Sequence, residues 1–188
     1  MFNIAIMASG NGSNAQNFIN YFRVHLEINI ALIISDNPKA HVLERAKNER
    51  VPAEIIEKKK WNDEIYVMDI FKKYNINFIV LAGYLSLIPP YLIKAYPNKI
   101  VNIHPALLPN YGGKGMYGLK VHEAVIAAGE VKSGISIHFV NEEYDKGGVV
   151  FQTSCYVSPN ETPESLAKKI HKLEHEHYPR VVEGLLES

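Results

Sequence analysis

The sequence predicts an α/β fold: one domain, 1–188, built on a doubly wound, mostly parallel, Rossmann-like sheet with a C-terminal antiparallel hairpin strand and a closing helix. Three observations carry that expectation. Short apolar runs alternate with amphipathic stretches through the first half of the chain. A glycine-rich turn, Ser9-Gly10-Asn11-Gly12-Ser13-Asn14, directly follows the first run. Near the C-terminus two β runs are joined by Asn141–Gly147, which suits a hairpin and is too short for a crossover.

Taken in order, Asn3–Met7 is a short apolar strand. Residues 14–24 place Ala15, Phe18, Ile19 and Phe22 at helical spacing. Ile28–Ile34 is a continuous apolar run, the mark of a strand buried on both faces. Lys39–Glu49 reads as a helix and Ala53–Ile56 as a strand. Trp61, Ile65, Met68 and Phe71 are expected to line one face of a helix that ends near Asn75. Phe78–Leu81 is the next buried strand. Pro90–Ala95 forms a short helix with proline at its start, and Ile100–Ile103 a strand. An irregular stretch, Pro105–Gly118, carries Gly112, Gly113, Gly115 and Gly118. Val121, Ala124, Val125 and Ala128 mark the helix after it. Gly134–Val140 alternates, with Ile135, Ile137 and Phe139 on one face and Ser136, His138 and Val140 on the other. Gly148–Val157 is its hairpin partner. Thr162-Pro163-Glu164 starts the last helix, with threonine as cap and proline in the first turn. Its expected apolar stripe is Leu166, Ile170, Leu173, His177 and Val181.

Composition excludes several classes. The hydrophobic share is 47%, and Lys+Arg and Asp+Glu balance at 20 each, so there is no basic excess of the kind nucleic acid demands. Lys58-Lys59-Lys60 is expected to be a solvated turn before a helix. Cys155 is alone, so no internal disulfide forms and a reducing, cytoplasmic location is expected. The N-terminal run lacks a basic flank and reads as a strand, not a signal peptide. The longest apolar candidate, Phe78 to Ile93, is broken by Gly83, Ser86, Pro89 and Pro90, short of the ~18 unbroken residues of a membrane span.

Candidate chemistry centres on Asn102-Ile103-His104-Pro105. Side chains two apart in a strand share a face, so Asn102 and His104 lie side by side, while Val101 and Ile103 turn into apolar packing. Pro105 ends the ladder and holds His104 extended. A neutral hydrogen-bonder and a titratable base thus meet at a strand end, where open α/β sheets place their ligands. The Ser9–Asn14 turn has glycines that admit close backbone approach and a helix start that favours an anion. A dinucleotide reading, with Gly10-x-Gly12-x-x-Ala15 and Asp36 as ribose acid, stays open, although the serine and asparagine density suits a phosphate monoester better. Asp145, in Tyr144-Asp145-Lys146-Gly147-Gly148, is either a hairpin-turn residue or a carboxylate that orients a histidine. His138 is either a core histidine or a site residue. Glu174 sits beside the apolar stripe of the last helix. His171 and His175 have no obvious third ligand, and no metal is expected.

These motifs together, with Leu81-Ala82-Gly83-Tyr84, Asn102-Ile103-His104-Pro105-Ala106-Leu107-Leu108-Pro109 and Gly134-Ile135-Ser136-Ile137-His138, closely resemble the phosphoribosylglycinamide formyltransferases, within the folate-dependent formyltransferases. The likeness runs in order from residue 2 to about residue 182. It implies formyl transfer from 10-formyltetrahydrofolate to the amine of glycinamide ribonucleotide, a step of purine synthesis, without metal, by a monomer or homodimer. By this resemblance Asn102, His104 and Asp145 are catalytic. Gly10, Asn11, Gly12, Ser13, Asn14 and Glu174 bind the ribonucleotide. Leu85, Leu87, Ile88, Val140, Asn141 and Asp145 receive the folate. The chain departs from the common pattern in the glycine-rich loop Asn110–Gly118 and in Lys146-Gly147-Gly148.

Overall fold

A computed structural model describes residues 1–187. They form two compact units, Met1–Val101 and Asn102 onward.

The first unit contains β1 (Phe2–Met7), α1 (Ser13–Phe22), β2 (Ile28–Ser35), α2 (His41–Asn48), β3 (Ala53–Ile55), a 3₁₀ turn (Lys58–Asn62), α3 (Glu64–Lys73), β4 (Phe78–Leu81) and α4 (Pro90–Ala95). β5 (Ile100–His104) begins here and ends in the second unit. The strands of this unit run in the order β3-β2-β1-β4, and each neighbouring pair is parallel. The chain therefore starts at β1, winds outward through β2 and β3, and returns to the other side of β1. That reversal is the doubly wound pattern, and its switch point lies between the C-terminal ends of β1 and β4. Ile4, Ile6, Leu32, Ile33, Ile79 and Val80 are fully buried, each contributing about 1.5–3 kcal/mol of apolar burial.

One expected stripe is out of phase. Trp61 and Phe71 are buried as expected, but Ile65 is exposed and Met68 only partly buried, and α3 buries Val67 and Ile70 in their place. The reason is local: Asp63 accepts a hydrogen bond from the Tyr66 amide and caps the helix, so Trp61 lies in the preceding 3₁₀ turn and does not set the helix phase. Lys58, Lys59 and Lys60 are exposed in that turn, as expected.

The second unit holds the end of β5, α5 (Leu119–Ala127), β6 (Lys132–Phe139), β7 (Val149–Tyr156) and α6 (Pro163–Glu187). β6 and β7 pair antiparallel, with a register shift between Ile137 and His138. The polar and apolar residues of β6 alternate as expected, yet Ser133 through His138 are all buried; its polar face carries the site below. α6 packs on α5 and β6. Thr162 Oγ1 accepts from the Ser165 amide, and Ser165 Oγ accepts from the Thr162 amide, a reciprocal cap. Leu166 and Ile170 are buried, but farther along Tyr178 and Val182 are buried while Leu173, His177 and Val181 are only partly so. The buried row advances by four from Leu166, and Glu174 falls within it.

Among the described residues no helix is long and apolar enough to cross a membrane.

Candidate active site

The end of β5 presents Asn102 and His104 on one face, as period-two geometry requires. His104 is buried, and Asn102 is partly so. Asp145 lies beside both. Its Oδ2 is 3.5 Å from Nδ1 of His104, and its Oδ1 is 3.4 Å from Nδ2 of Asn102. The Gly113 amide donates to Oδ2 at 2.9 Å. Asp145 has φ +55°, a left-handed turn conformation that aspartate tolerates better than most residues. It is therefore a turn residue whose carboxylate also faces His104.

His138 completes the cluster. Its Nε2 lies 3.2 Å from Asn102 Nδ2 and 3.5 Å from Asp145 Oδ1. On the other side of the His104 ring, Nε2 lies 2.7 Å from the Tyr111 carbonyl oxygen. Burial pushes the His104 pKa down, and the Asp145 charge and the Tyr111 carbonyl push against it; the net direction is below the ordinary 6.5. Burial pushes the Asp145 carboxyl up, but the neighbouring imidazoles and the Gly113 amide outweigh it and hold the carboxyl below its usual range.

A buried hydroxyl holds the turn after His104. Ser136 Oγ accepts from the Leu108 amide at 2.9 Å and donates to the Ala106 carbonyl at 2.7 Å. Gln152 Nε2 donates both to Ser136 Oγ and to the Leu108 carbonyl. Gly112 passes where a Cβ would come within 2.5 Å of Leu108 Cδ2. Sequence reasoning placed Ser136 on this face but gave it no role. Gln152 and the Tyr111 carbonyl left no signal at all.

α6 adds Glu174, whose side chain is largely buried and accepts from His171 Nδ1 at 3.0 Å. The rings of His171 and His175 lie against each other, centroids 4.3 Å apart. His122 on α5 is buried, its Nδ1 has no hydrogen-bond partner among the described residues, and burial lowers its pKa. Val140 is partly buried and Asn141 exposed in the β6–β7 connection, where Asn141 Oδ1 accepts from the Glu143 amide.

In the first unit the Ser9–Asn14 turn occupies the switch point between β1 and β4. The Ser9 amide donates to the Gly83 carbonyl, and Ser9 Oγ accepts from the Leu85 amide. Gly12 caps α1 with φ +75°, and a Cβ there would meet Val42 at 2.4 Å. Arg45 donates from Nε to the Asn11 carbonyl at 2.8 Å and from Nη2 to Asn11 Oδ1 at 2.9 Å. Ser13 and Asn14 open the helix, whose first amides lack intrahelical acceptors. Leu85 and Leu87 are about half exposed, and Ile88 is buried. Asp36 Oδ2 accepts from Ser86 Oγ at 2.7 Å, so one carboxylate oxygen of the candidate ribose acid is already engaged.

Residues 2–182 match the formyl transferase family. The chain belongs to that family. Within it, the phosphoribosylglycinamide formyltransferase of Bacillus subtilis (strain 168) is 35% identical, over 99% of this chain and 95% of that protein. The chloroplastic phosphoribosylglycinamide formyltransferase of Arabidopsis thaliana is 39% identical over 98% of this chain. The chain spans 65% of the Arabidopsis protein and 61% of the Vigna unguiculata one. Among solved structures, glycinamide ribonucleotide transformylase 1 from Geobacillus kaustophilus superposes with a TM-score of 0.89 at 39% identity, covering 99% of each chain. Formyl transferase membership and the α/β class agree with the expectations drawn from the sequence.

Proposed function

We propose that the protein transfers the formyl group of 10-formyltetrahydrofolate to the amine of glycinamide ribonucleotide, in purine biosynthesis. The observation that supports this most is the Asn102–His104–Asp145 cluster, a hydrogen-bond donor, a base and a carboxylate within reach of one small group. In the reaction the substrate amine attacks the formyl carbon, and the carbonyl oxygen takes up the electron pair. An Asn102 N–H and the protonated form of His104 stabilise that oxyanion. The proton lost by the attacking nitrogen passes, with His104 as carrier, to N10 of the folate. The carbon–N10 bond then breaks and tetrahydrofolate leaves. Asp145 holds His104 and favours its cationic form.

The same reading gives Gly10, Gly12, Ser13 and Asn14 the substrate phosphate, with Asn11 shaping the turn, and Glu174 the glycinamide or ribose end. Leu85, Leu87, Ile88, Val140, Asn141 and Asp145 receive the folate. No metal takes part. The enzyme works as a monomer or homodimer in the cytoplasm, the compartment the lone cysteine suits.

The test mixes the protein with glycinamide ribonucleotide and 10-formyl-dideazafolate and follows absorbance. An absorbance change that requires both compounds is expected. Absence of turnover, with tight binding of a nicotinamide dinucleotide instead, would overturn this reading in favour of the dinucleotide one.

A further inference from the structure

β7 pairs with β6 along one side, and no strand lies on its other side among the described residues. The ladder shows which of its groups face outward. The Val157 amide donates to the Val131 carbonyl, and the same register pairs Cys155 with Ser133, Thr153 with Ile135 and Phe151 with Ile137. In an antiparallel ladder those alternate residues exchange both bonds with the neighbouring strand. The amides and carbonyls of Gln152, Ser154 and Tyr156 therefore point away from β6. Of these, among the described residues, only the Tyr156 carbonyl has a partner, Lys169 Nζ at 3.3 Å.

The strand Val149–Tyr156 contains no charged residue and no proline, the devices that keep an edge from accepting another strand. Gln152 and Ser154 are exposed, and the two ends, Val149 and Tyr156, are 48% and 62% exposed. We propose that this edge is an interface between two copies of the chain, β7 pairing antiparallel with β7 of the second copy about a two-fold axis near Thr153. The occupant follows from the pattern. Across a two-fold axis a strand meets its own sequence reversed, so a charge near the middle would face its like, and here the middle is Gln152-Thr153-Ser154. With the axis at Thr153, the outward groups of Ser154 meet those of Gln152 in the second copy and bond in both directions. The same register carries the exposed Tyr156 of each copy to the Val149–Val150 end of the other, so the apolar ends cover each other. A peptide of unrelated sequence would gain the backbone bonds without that match. The interface is independent of the formyl-transfer reading, and it selects the homodimer over the monomer.

Sedimentation equilibrium on the whole chain tests this over roughly 1 μM to 1 mM, the range of weak to moderate complexes. The mass is expected to climb from the 21.2 kDa of one chain towards that of two. Ser154→Lys and Ser154→Glu each set like charges across the axis. Each is expected to keep the mass of one chain at every concentration, with circular dichroism unchanged. An equal mixture of the two variants is expected to regain the dimer, because opposite charges then face each other; a variant that had failed to fold could not be rescued in this way. Hydrogen exchange reads the edge directly, and the Ser154 amide of the unmodified protein is expected to slow as concentration rises. A protein that stays a monomer throughout, a dimer that survives Ser154→Lys, a mixture that regains nothing, or a Ser154 amide indifferent to concentration overturns the inference.

Discussion

Nε2 of His104 lies 2.7 Å from the carbonyl oxygen of Tyr111. The carbonyl requires a proton on Nε2, while Asp145 faces the opposite nitrogen at 3.5 Å. Both nitrogens of this imidazole therefore point at acceptors, which favours the cation, and burial opposes it. The balance leaves a histidine that is neutral at rest yet surrounded by groups that welcome a proton, the state a proton carrier needs.

Asp145→Asn tests that balance. Its amide can donate to Nδ1 and so locks His104 in the neutral form, while the Asp145 charge that raises the His104 pKa is lost. The expected result is a further fall in the His104 pKa, followed by proton NMR of the ring, and a turnover loss of at least about 10²-fold with the fold retained. A His104 pKa that stays in place or rises in this variant refutes the assignment. His104→Ala is expected to lose turnover by a similar factor.

Stability should depend on pH in the histidine range. His104, His122 and His175 are all held below 6.5, with burial the largest cause in each. The unfolded chain then binds more protons than the folded one between the lowered values and 6.5, so stability rises with pH through that window and falls on acidification. His171, raised by the hydrogen bond it donates to the Glu174 carboxylate, acts in the opposite sense, stabilising below 6.5 and losing that contribution as pH rises; as it is half exposed, its weight is small. Asp145, with a lowered carboxyl, matters only at more acid pH. Urea midpoints are expected to drop between about pH 7 and pH 5. His122→Gln should flatten the slope, and an unchanged or steeper slope in that variant counts against the burial argument.

Much of this was legible from local pattern alone. The shared face of Asn102 and His104 follows from period two, and the parallel half of the sheet from apolar runs alternating with helical spacing. What was not legible required chain-distant contacts. Asn102 and Asp145 are 43 residues apart, and only folding shows that the turn aspartate reaches the strand-end histidine. Ile65 and Met68 fall off the buried face of α3 because a side-chain cap at Asp63, not the apolar spacing, sets where that helix begins. The second half of α6 was misread because its buried row advances in steps of four, and the row includes a glutamate that an apolar count passes over.

Arg45 offers a separable effect in the first unit. Its two hydrogen bonds to Asn11 brace the turn assigned to the substrate phosphate, and its charge adds to the field an anion meets there. Arg45→Ala is expected to raise KM for glycinamide ribonucleotide about 10-fold, the worth of one charge-assisted contact, while kcat and the folate KM hold steady. Arg45→Lys keeps the charge but not the planar fork, and is expected to fall between the two. Steady-state kinetics with each substrate varied in turn separates these outcomes. An equal rise in both KM values contradicts a role confined to the phosphate turn.

Ser136→Ala removes more than a methyl-sized hydroxyl. The Leu108 amide loses its acceptor and the Ala106 carbonyl its donor, both in a buried setting, and Gln152 keeps only its bond to the Leu108 carbonyl. An orphaned buried group costs about 1–3 kcal/mol, so for the two a drop of about 2–6 kcal/mol in unfolding free energy is expected, read from urea titration. Because the freed segment begins two residues after His104, turnover should fall at temperatures where the variant is still fully folded. Ser136→Thr retains the hydroxyl and should restore turnover, unless its added methyl is blocked by Leu108 or Gln152. A Ser136→Ala variant as stable and as active as the unmodified protein would show that the Gln152 amide alone secures the turn, and that the hydroxyl is dispensable to it.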